Sequence, residues 1–251
     1  MKFLVIGDSC VDKFIYGSCE RICPEAPVPI FNPLSSTENM GMAGNVKNNL
    51  EALGIECNII TNKEKIIKTR YVDSKTNQMI MRVDENDLCQ RVTKEQLQSV
   101  NSFDVIIISD YCKGFLHEED IEWISKTSNA KVFLNTKKKI NHKLLLADFI
   151  QLNQFEYQES KKLLMEYKDD LVKEKLIVTY GEKGCYYKRK LIPQKNKVEA
   201  LDLSGAGDTF LSAFASYMVS TKETKYQVEN AISFAQSCAS RVVKKRGVAT
   251  I

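Results

Sequence analysis

The sequence predicts an α/β protein, with a mainly parallel central sheet covered by helices on both faces and a small β-sheet lid. Three observations predict it. The runs "KFLVIG", "DVIIISD", "KVFLN", "DFIQLN" and "KLIVTYG" are apolar at nearly every position, as in strands buried on both faces. They alternate with helical patterns, the order that builds a parallel sheet from crossover units. By contrast, "CVDKFIYG" and "VPIFNPLS" alternate apolar with polar residues and carry prolines, which suits strands outside the core.

Taken in order, residues 2–7 form the first strand and turn at Gly7-Asp8. The lid strands lie near 12–38 and 66–85, the second pair being the hairpin "IKTRYVDSKTNQMIMRVDEN" with its turn near Ser74 to Asn77. Between them, "GMAGNVKNNLEALG" is helical, with Val46, Leu50 and Leu53 on one face and Gly54 as its stop. "ECNIIT" is a strand. Strand 104–110 precedes a helix over 117–127 that His117 starts and Trp123 packs. Strands at 131–135 and 148–153 follow, then a helix over 154–166. Strand 175–181 leads to a hairpin of "GCYYKR" with "KVEAL", and helices cover 206–219 and about 225–245. The whole chain, 1–251, reads as a single domain without repeats or long linkers.

Composition narrows the function. The net charge is +4, with 43% hydrophobic and 27% charged residues, so no strongly basic surface demands nucleic acid. The run Lys137-Lys138-Lys139 reads as solvated surface. Eight cysteines show no metal-type pairing, which suits free thiols in a reducing compartment. No run approaches the ~20 apolar residues of a membrane span. A cytoplasmic protein without nucleic-acid or membrane partners is the expectation.

Ligands of open α/β sheets sit beyond the carboxyl ends of the strands. Here those ends carry Asp8 and Asp12, Asp110 and Lys113, Asn153 and Glu156, then Thr179, Gly181 and Gly184. The stretch "ALDLSGAGDTF" adds Gly205, Ala206 and Gly207 ahead of Asp208 at a helix start. Free amides and the positive end of a helix suit an anion there, and glycines let it approach. An aspartate in that first turn is placed to take a proton from an attacking hydroxyl. A capped helix start is the simpler alternative for the same residues.

"ALDLSGAGDTFLSAF" resembles the C-terminal signature of the ribokinase-like PfkB family of carbohydrate kinases, which have a three-layer sandwich with a β lid. "MGMAGNVKNNLEALG", "IISDYCKG", "LNQFE" and "VTYGEKG" are similar to that family's other motifs, in order. "CERICPEAPVPI", "KTRYVDSKTNQMIMRVDEND" and "FAQSCASRVVKKRGVAT" resemble its D-glycero-β-D-manno-heptose-7-phosphate kinase branch. The resemblance implies an ATP- and Mg2+-dependent sugar kinase, with a monovalent cation left open. It implies Asp208 as catalytic base and Gly205, Ala206 and Gly207 as anion hole. Asp12, Gly41 and Asn45 would hold sugar hydroxyls. Arg82 and Lys113 would meet a distal phosphate or nearby polar groups, and Asp110 would stand with them on the substrate side. Asn153 and Glu156 form the NxxE motif, with Glu156 acting on the metal through water. Thr179, Gly181, Gly184 and Gln236 would line the nucleotide site. The best-matching acceptor is O1 of the heptose 7-phosphate, a precursor step of ADP-heptose and the lipopolysaccharide core. Another sugar, a nucleoside, or a non-catalytic binding role are the alternatives. The lid implies a homodimer.

The chain departs from the family in three places. "NIITNKEKIIKTR" omits a helix and strand, Met42 replaces a common glycine, and Gln236 replaces an asparagine. Many heptose kinases are fused to a nucleotidyltransferase domain. None is expected within 1–251, so that step would fall to another protein.

Overall fold

Continuous apolar strands have to be covered twice, and they are. The computed structural model describes residues 1–166, 170–196, 198–221 and 226–251. Its strands are β1 (Phe3–Gly7), β2 (Ser9–Ile22), β3 (Pro29–Met42), β4 (Cys57–Ile60), β5 (Ile66–Asp73), β6 (Met79–Glu85), β7 (Val105–Asp110), β8 (Lys131–Thr136), β9 (Phe149–Asn153), β10 (Leu176–Thr179), β11 (Gly184–Tyr187) and β12 (Lys190–Pro193). Its helices are α1 (Ala43–Ala52), α2 (Lys94–Leu97), α3 (Glu118–Thr127), α4 (Gln154–Glu166), α5 (Asp170–Lys175), α6 (Ala206–Ser220) and α7 (Gln227–Val242).

The large sheet has the order β12-β11-β10-β9-β8-β7-β1-β4, parallel from β10 to β4 and antiparallel across β10, β11 and β12. Phe3, Val5, Val105, Ile107 and Phe133 face α1, α6 and α7. Leu4, Ile6, Ile106, Ile108, Val132 and Leu134 face α2, α3 and α4. Successive residues serve opposite layers, so every position is apolar rather than every second one.

A second sheet, β3-β2-β5-β6, stands where the lid is expected. β2 pairs parallel with β5, and the other two pairings are antiparallel. β6 is exposed along its whole length. The omitted passage is visible as a short link, 61–65, from β4 to β5. Asn62 secures it, accepting from the Ser9 amide at 2.7 Å and donating to the Ser9 carbonyl at 3.2 Å.

Three sequence expectations need correction. β11 pairs with "KLIP" (β12), not with "KVEAL", whose residues 198–201 form no strand and whose Lys197 lies outside the described residues. The turn between them is Lys188-Arg189, both at positive φ (48° and 62°). That geometry normally takes Asn or Gly, so nothing in the sequence signalled it. Trp123 is 43% exposed on α3 and does not pack the core. Among the three lysines, only Lys139 keeps most of its side chain in solvent. Lys138 is half-buried against Asp110 at 2.7 Å, and Lys137 is paired with Glu156. All eight cysteines are free thiols, and no helix among the described residues is long and apolar enough to cross a membrane.

Candidate active site

The chain order changes direction at β1, which goes first to β4 on one side and then to β7 on the other. The carboxyl ends of β1 and β7 therefore open a crevice. Asp8 is buried at that point, its carboxylate accepting from the amides of Tyr111 at 2.6 Å and Phe115 at 3.3 Å. Burial, and then the nearby Asp110, raise its pKa. The effect is to fix the loop after β7 over the crevice.

Across it, α6 begins. Gly205 caps the helix in the left-handed conformation, at φ 79°. A Cβ there would lie 2.6 Å from Asn45 Nδ2, so only glycine fits both the backbone and its neighbour. Among the described residues the amides of Gly207 and Asp208 have no acceptor, whereas Ala206 donates back to Leu203 and Thr209 to Gly205. Gln151 of β9 donates to the Gly207 carbonyl at 3.3 Å, tying this turn to the sheet. Two unpaired amides at a helix N-terminus form a cradle for an anion.

Asp208 is 4% exposed. Asn45 Nδ2 donates to one carboxylate oxygen at 3.0 Å and the Tyr111 hydroxyl to the other at 2.8 Å. Burial raises its pKa to about 6, against the opposing pull of those two donors and of Lys137. Such a carboxylate is ionised at neutral pH yet basic enough to take a proton. Asn45 is itself held by Asn49, which also accepts from Thr209, so a buried polar ladder locks α1 to α6.

Asp208 faces a cavity of about 180 Å³ whose wall includes Asp12, Met42, Lys68, Arg70, Arg82 and Tyr111. Strand register explains the cations. Lys68 and Arg70 are two apart on β5, Asp12 lies beside Lys68, and Arg82 lies opposite Arg70. Residues two apart share a face, so the small sheet turns one charged face inward. Arg70 pairs with Asp12 and Arg82 with Asp84, at the guanidinium–carboxylate contacts. Lys68 is 7% exposed and has no carboxylate at ion-pair distance among the described residues; its ammonium lies 5.9 Å from the Tyr111 ring centre. Burial lowers its pKa. Gly41 sits against Asp12, where a Cβ would collide with the carboxylate.

The remaining candidates lie around this centre. Asp110 is fully buried beneath Thr136 and Lys138, outside the cavity wall. Lys113 is turned toward Asp87. Asn153 and Glu156 close on each other at the end of β9: the Asn153 amide and side chain both donate to the Glu156 carboxylate, at 2.8 Å each. Thr179 ends β10 and donates to the Leu152 carbonyl at 3.3 Å, while Gly181 and Gly184 take positive φ in the following turn. Gln236 is buried in α7, where it donates to the Ile192 carbonyl and holds the helix to β12. Beside it a groove of about 500 Å³ is lined by Lys195, Asn196, Ser237, Ser240, Arg241 and Lys244.

Sequence reasoning missed Tyr111, Lys137 and the inward turn of Lys68 and Arg70. The period-two pattern of β5 against Asp12 was the signal available for the last two. Tyr111 stands within "DYCKG", between Asp110 and Lys113.

Residues 41–251 match the family model described as pfkB family carbohydrate kinase. The chain is 31% identical over 300 residues to "Bifunctional protein HldE" of Helicobacter acinonychis (strain Sheeba), covering 99% of the chain and 64% of that relative. It is 30% identical over 297 residues to the protein of the same name from a Nitratiruptor species, covering 99% and 63%. The chain thus spans less than two thirds of the length of these relatives. Among solved structures, a ribokinase of Thermotoga maritima superimposes with a TM-score of 0.72 at 20% identity, covering 98% of this chain and 94% of the other. Escherichia coli phosphofructokinase-2 gives 0.74 at 12% identity, with 98% and 94% covered. At those identities the superpositions show a shared ribokinase fold.

Proposed function

We propose that this chain, which belongs to the pfkB family of carbohydrate kinases, transfers the γ-phosphoryl group of ATP to a hydroxyl of a sugar phosphate. Family membership makes it a sugar phosphotransferase; the acceptor and the residue roles are the proposal. The preferred acceptor is O1 of D-glycero-β-D-manno-heptose 7-phosphate. The resemblance of "CERICPEAPVPI" and the tail to that branch supports it, as do the relatives named HldE.

One observation carries the reading: a buried carboxylate with a pKa of about 6 lies beside unpaired helix amides and faces a cavity rich in cations. Phosphoryl transfer asks for positioning and charge neutralisation rather than covalent chemistry. In the proposed mechanism Asp208 takes the proton of the acceptor hydroxyl as that oxygen attacks the γ-phosphorus. The Gly207 and Asp208 amides, with Gly205 and Ala206 shaping the turn, stabilise charge on the transferring group. Asp12 and Gly41 position the acceptor, and Asn45 acts on the base. Lys68, with Arg82 behind it, meets an acidic group on the acceptor. The cavity, at about 180 Å³, is below the ~300–1,000 Å³ of drug-sized sites and suits a small acceptor.

The nucleotide would lie along Thr179, Gly181 and Gly184 and the basic groove beside Gln236. No group of three metal-type ligands occurs among the described residues. That fits magnesium, which keeps several waters and arrives with nucleotide phosphates rather than in a protein cage. Asn153 and Glu156 would hold its water shell, and the ion would neutralise phosphate charge. The exposed apolar side chains of Met79, Met81 and Val83, two apart on β6, support a homodimer through the small sheet.

The test is ADP release over a panel of sugars, sugar phosphates and nucleosides, with and without Mg2+ and K+. Turnover confined to phosphorylated sugars is expected. Equal turnover of the unphosphorylated sugars would overturn the acceptor assignment. The same assay carries a pH prediction. kcat/KM should fall tenfold per pH unit below about pH 6, where Asp208 of the free enzyme becomes protonated. A limb near the ordinary carboxylate value would remove Asp208 from the base role.

A further inference from the structure

We propose that Tyr111 is the positioning residue for the base, its hydroxyl fixing the Asp208 carboxylate opposite Asn45. The inference rests on Asp208 acting as the base.

The geometry is specific. The Tyr111 hydroxyl donates to Asp208 at 2.8 Å from the opposite side to Asn45, at 3.0 Å. Each carboxylate oxygen thus has one fixed donor, which sets the plane of the group and leaves its other lone pairs for a substrate hydroxyl. Tyr111 is in turn anchored through its amide to Asp8 at 2.6 Å. The path from the buried crevice carboxylate to the base is one residue long. Two cations approach the ring. Lys68, from the small sheet, lies 5.9 Å from its centre, and Lys137, following β8, lies 5.1 Å from it. Lys137 also pairs with Glu156. The aromatic ring attracts both ammonium groups.

The charged and titratable groups around Asp208 are Cys10 and Asp12 on β2, Lys68 and Arg70 on β5, Arg82 on β6, Tyr111 after β7 and Lys137 after β8, with Asn45 on α1 as a neutral donor. Burial, then Asp208 itself, pushes the Tyr111 phenol well above its ordinary value. Tyr111 therefore stays protonated across the working range. It is a fixed donor and does not carry the proton. Its hydrogen bond favours the ionised carboxylate, so it partly offsets the burial of Asp208.

The test is Tyr111→Phe, which keeps the ring and removes the donor. The acid limb of kcat/KM should move up by about one to two pH units, the size expected for a lost hydrogen bond to a charged group. kcat at pH 7 should fall about two- to tenfold and recover in large part by pH 8.5, with the KM for the acceptor little changed. Replacing Tyr111 with fluorotyrosine, a stronger donor, should move the limb down. A readout without turnover is the 13C-carboxyl titration of Asp208 in the unliganded protein, assigned with Asp208→Asn. It should shift in the same directions as the limb. A lower melting temperature with both titrations unmoved would mean a merely structural tyrosine and overturn the inference. If the wild-type protein turned over no acceptor while the carboxyl titration still responded, the function would fail and the Tyr111–Asp208 coupling would stand. If turnover held but its acid limb ignored both variants, the coupling would fail and the kinase reading would stand.

Discussion

Asp208→Asn should lose about 10³–10⁴-fold in kcat while keeping its fold, the upper range for removal of a general base. The substitution is nearly isosteric, and the site can satisfy it. The new amide oxygen accepts from Asn45, and the new NH2 donates to the Tyr111 oxygen, which has been only a donor there. What disappears is the acceptor for the substrate's proton. Stability should move the other way. The folded-state pKa of Asp208 is about 6, above the ordinary 3.8. A carboxyl raised on folding contributes most in the protonated form, so stability falls as pH rises between those values and stays lowered above them. The difference amounts to about 2–3 kcal/mol at pH 7. The asparagine variant should therefore resist urea better than wild type at pH 7, with the gap closing toward pH 4. Undiminished turnover would sink the base assignment. A variant less stable at pH 7 would contradict the burial argument. An active centre that weakens its own fold is a common price of catalysis.

Arg70→Ala should produce the largest loss of stability, about 3–5 kcal/mol, as expected when one partner of a buried ion pair is removed. The pair is well enclosed, with side-chain exposures of 14% for Arg70 and 7% for Asp12. Among the described residues, Asp12 would keep only the weak Cys10 thiol, at 3.7 Å, as a side-chain hydrogen-bond donor. Arg70 also stacks over the Phe14 ring at 5.0 Å, a contact that holds the small sheet together. Adding Asp12→Asn removes the stranded charge, so the double variant should recover most of the loss in equilibrium urea unfolding. A single variant within about 1 kcal/mol of wild type would show the pair to be effectively solvent-exposed.

The sheet was legible because burial on both faces writes itself into sequence as unbroken apolar runs. β1, β7, β8 and β9 follow those runs to within a residue. The β11–β12 hairpin was not legible, since Lys188-Arg189 adopts a turn its residue types do not announce. The site divides in the same way. Gly205, Gly207 and Asp208 are adjacent in the chain, so their chemistry shows in one short word. Tyr111 reaches Asp208 from 97 residues away, and Lys137 reaches Glu156 across a strand boundary. Such meetings depend on tertiary packing. Lysine-rich runs look solvated until a buried carboxylate, here Asp110, is found beneath one of them.

Met42 lies 3% exposed in the cavity wall, at φ 57°, a backbone state that disfavours any residue with a side chain. Such strain costs about 1–3 kcal/mol. Truncating an ordinary core methionine costs about 2–5 kcal/mol. At this position glycine alone relieves the strain as it gives up packing, so for that exchange the two effects largely cancel. An exchange between methionine and glycine at residue 42 therefore changes the width of this end of the cavity at little net cost to the fold.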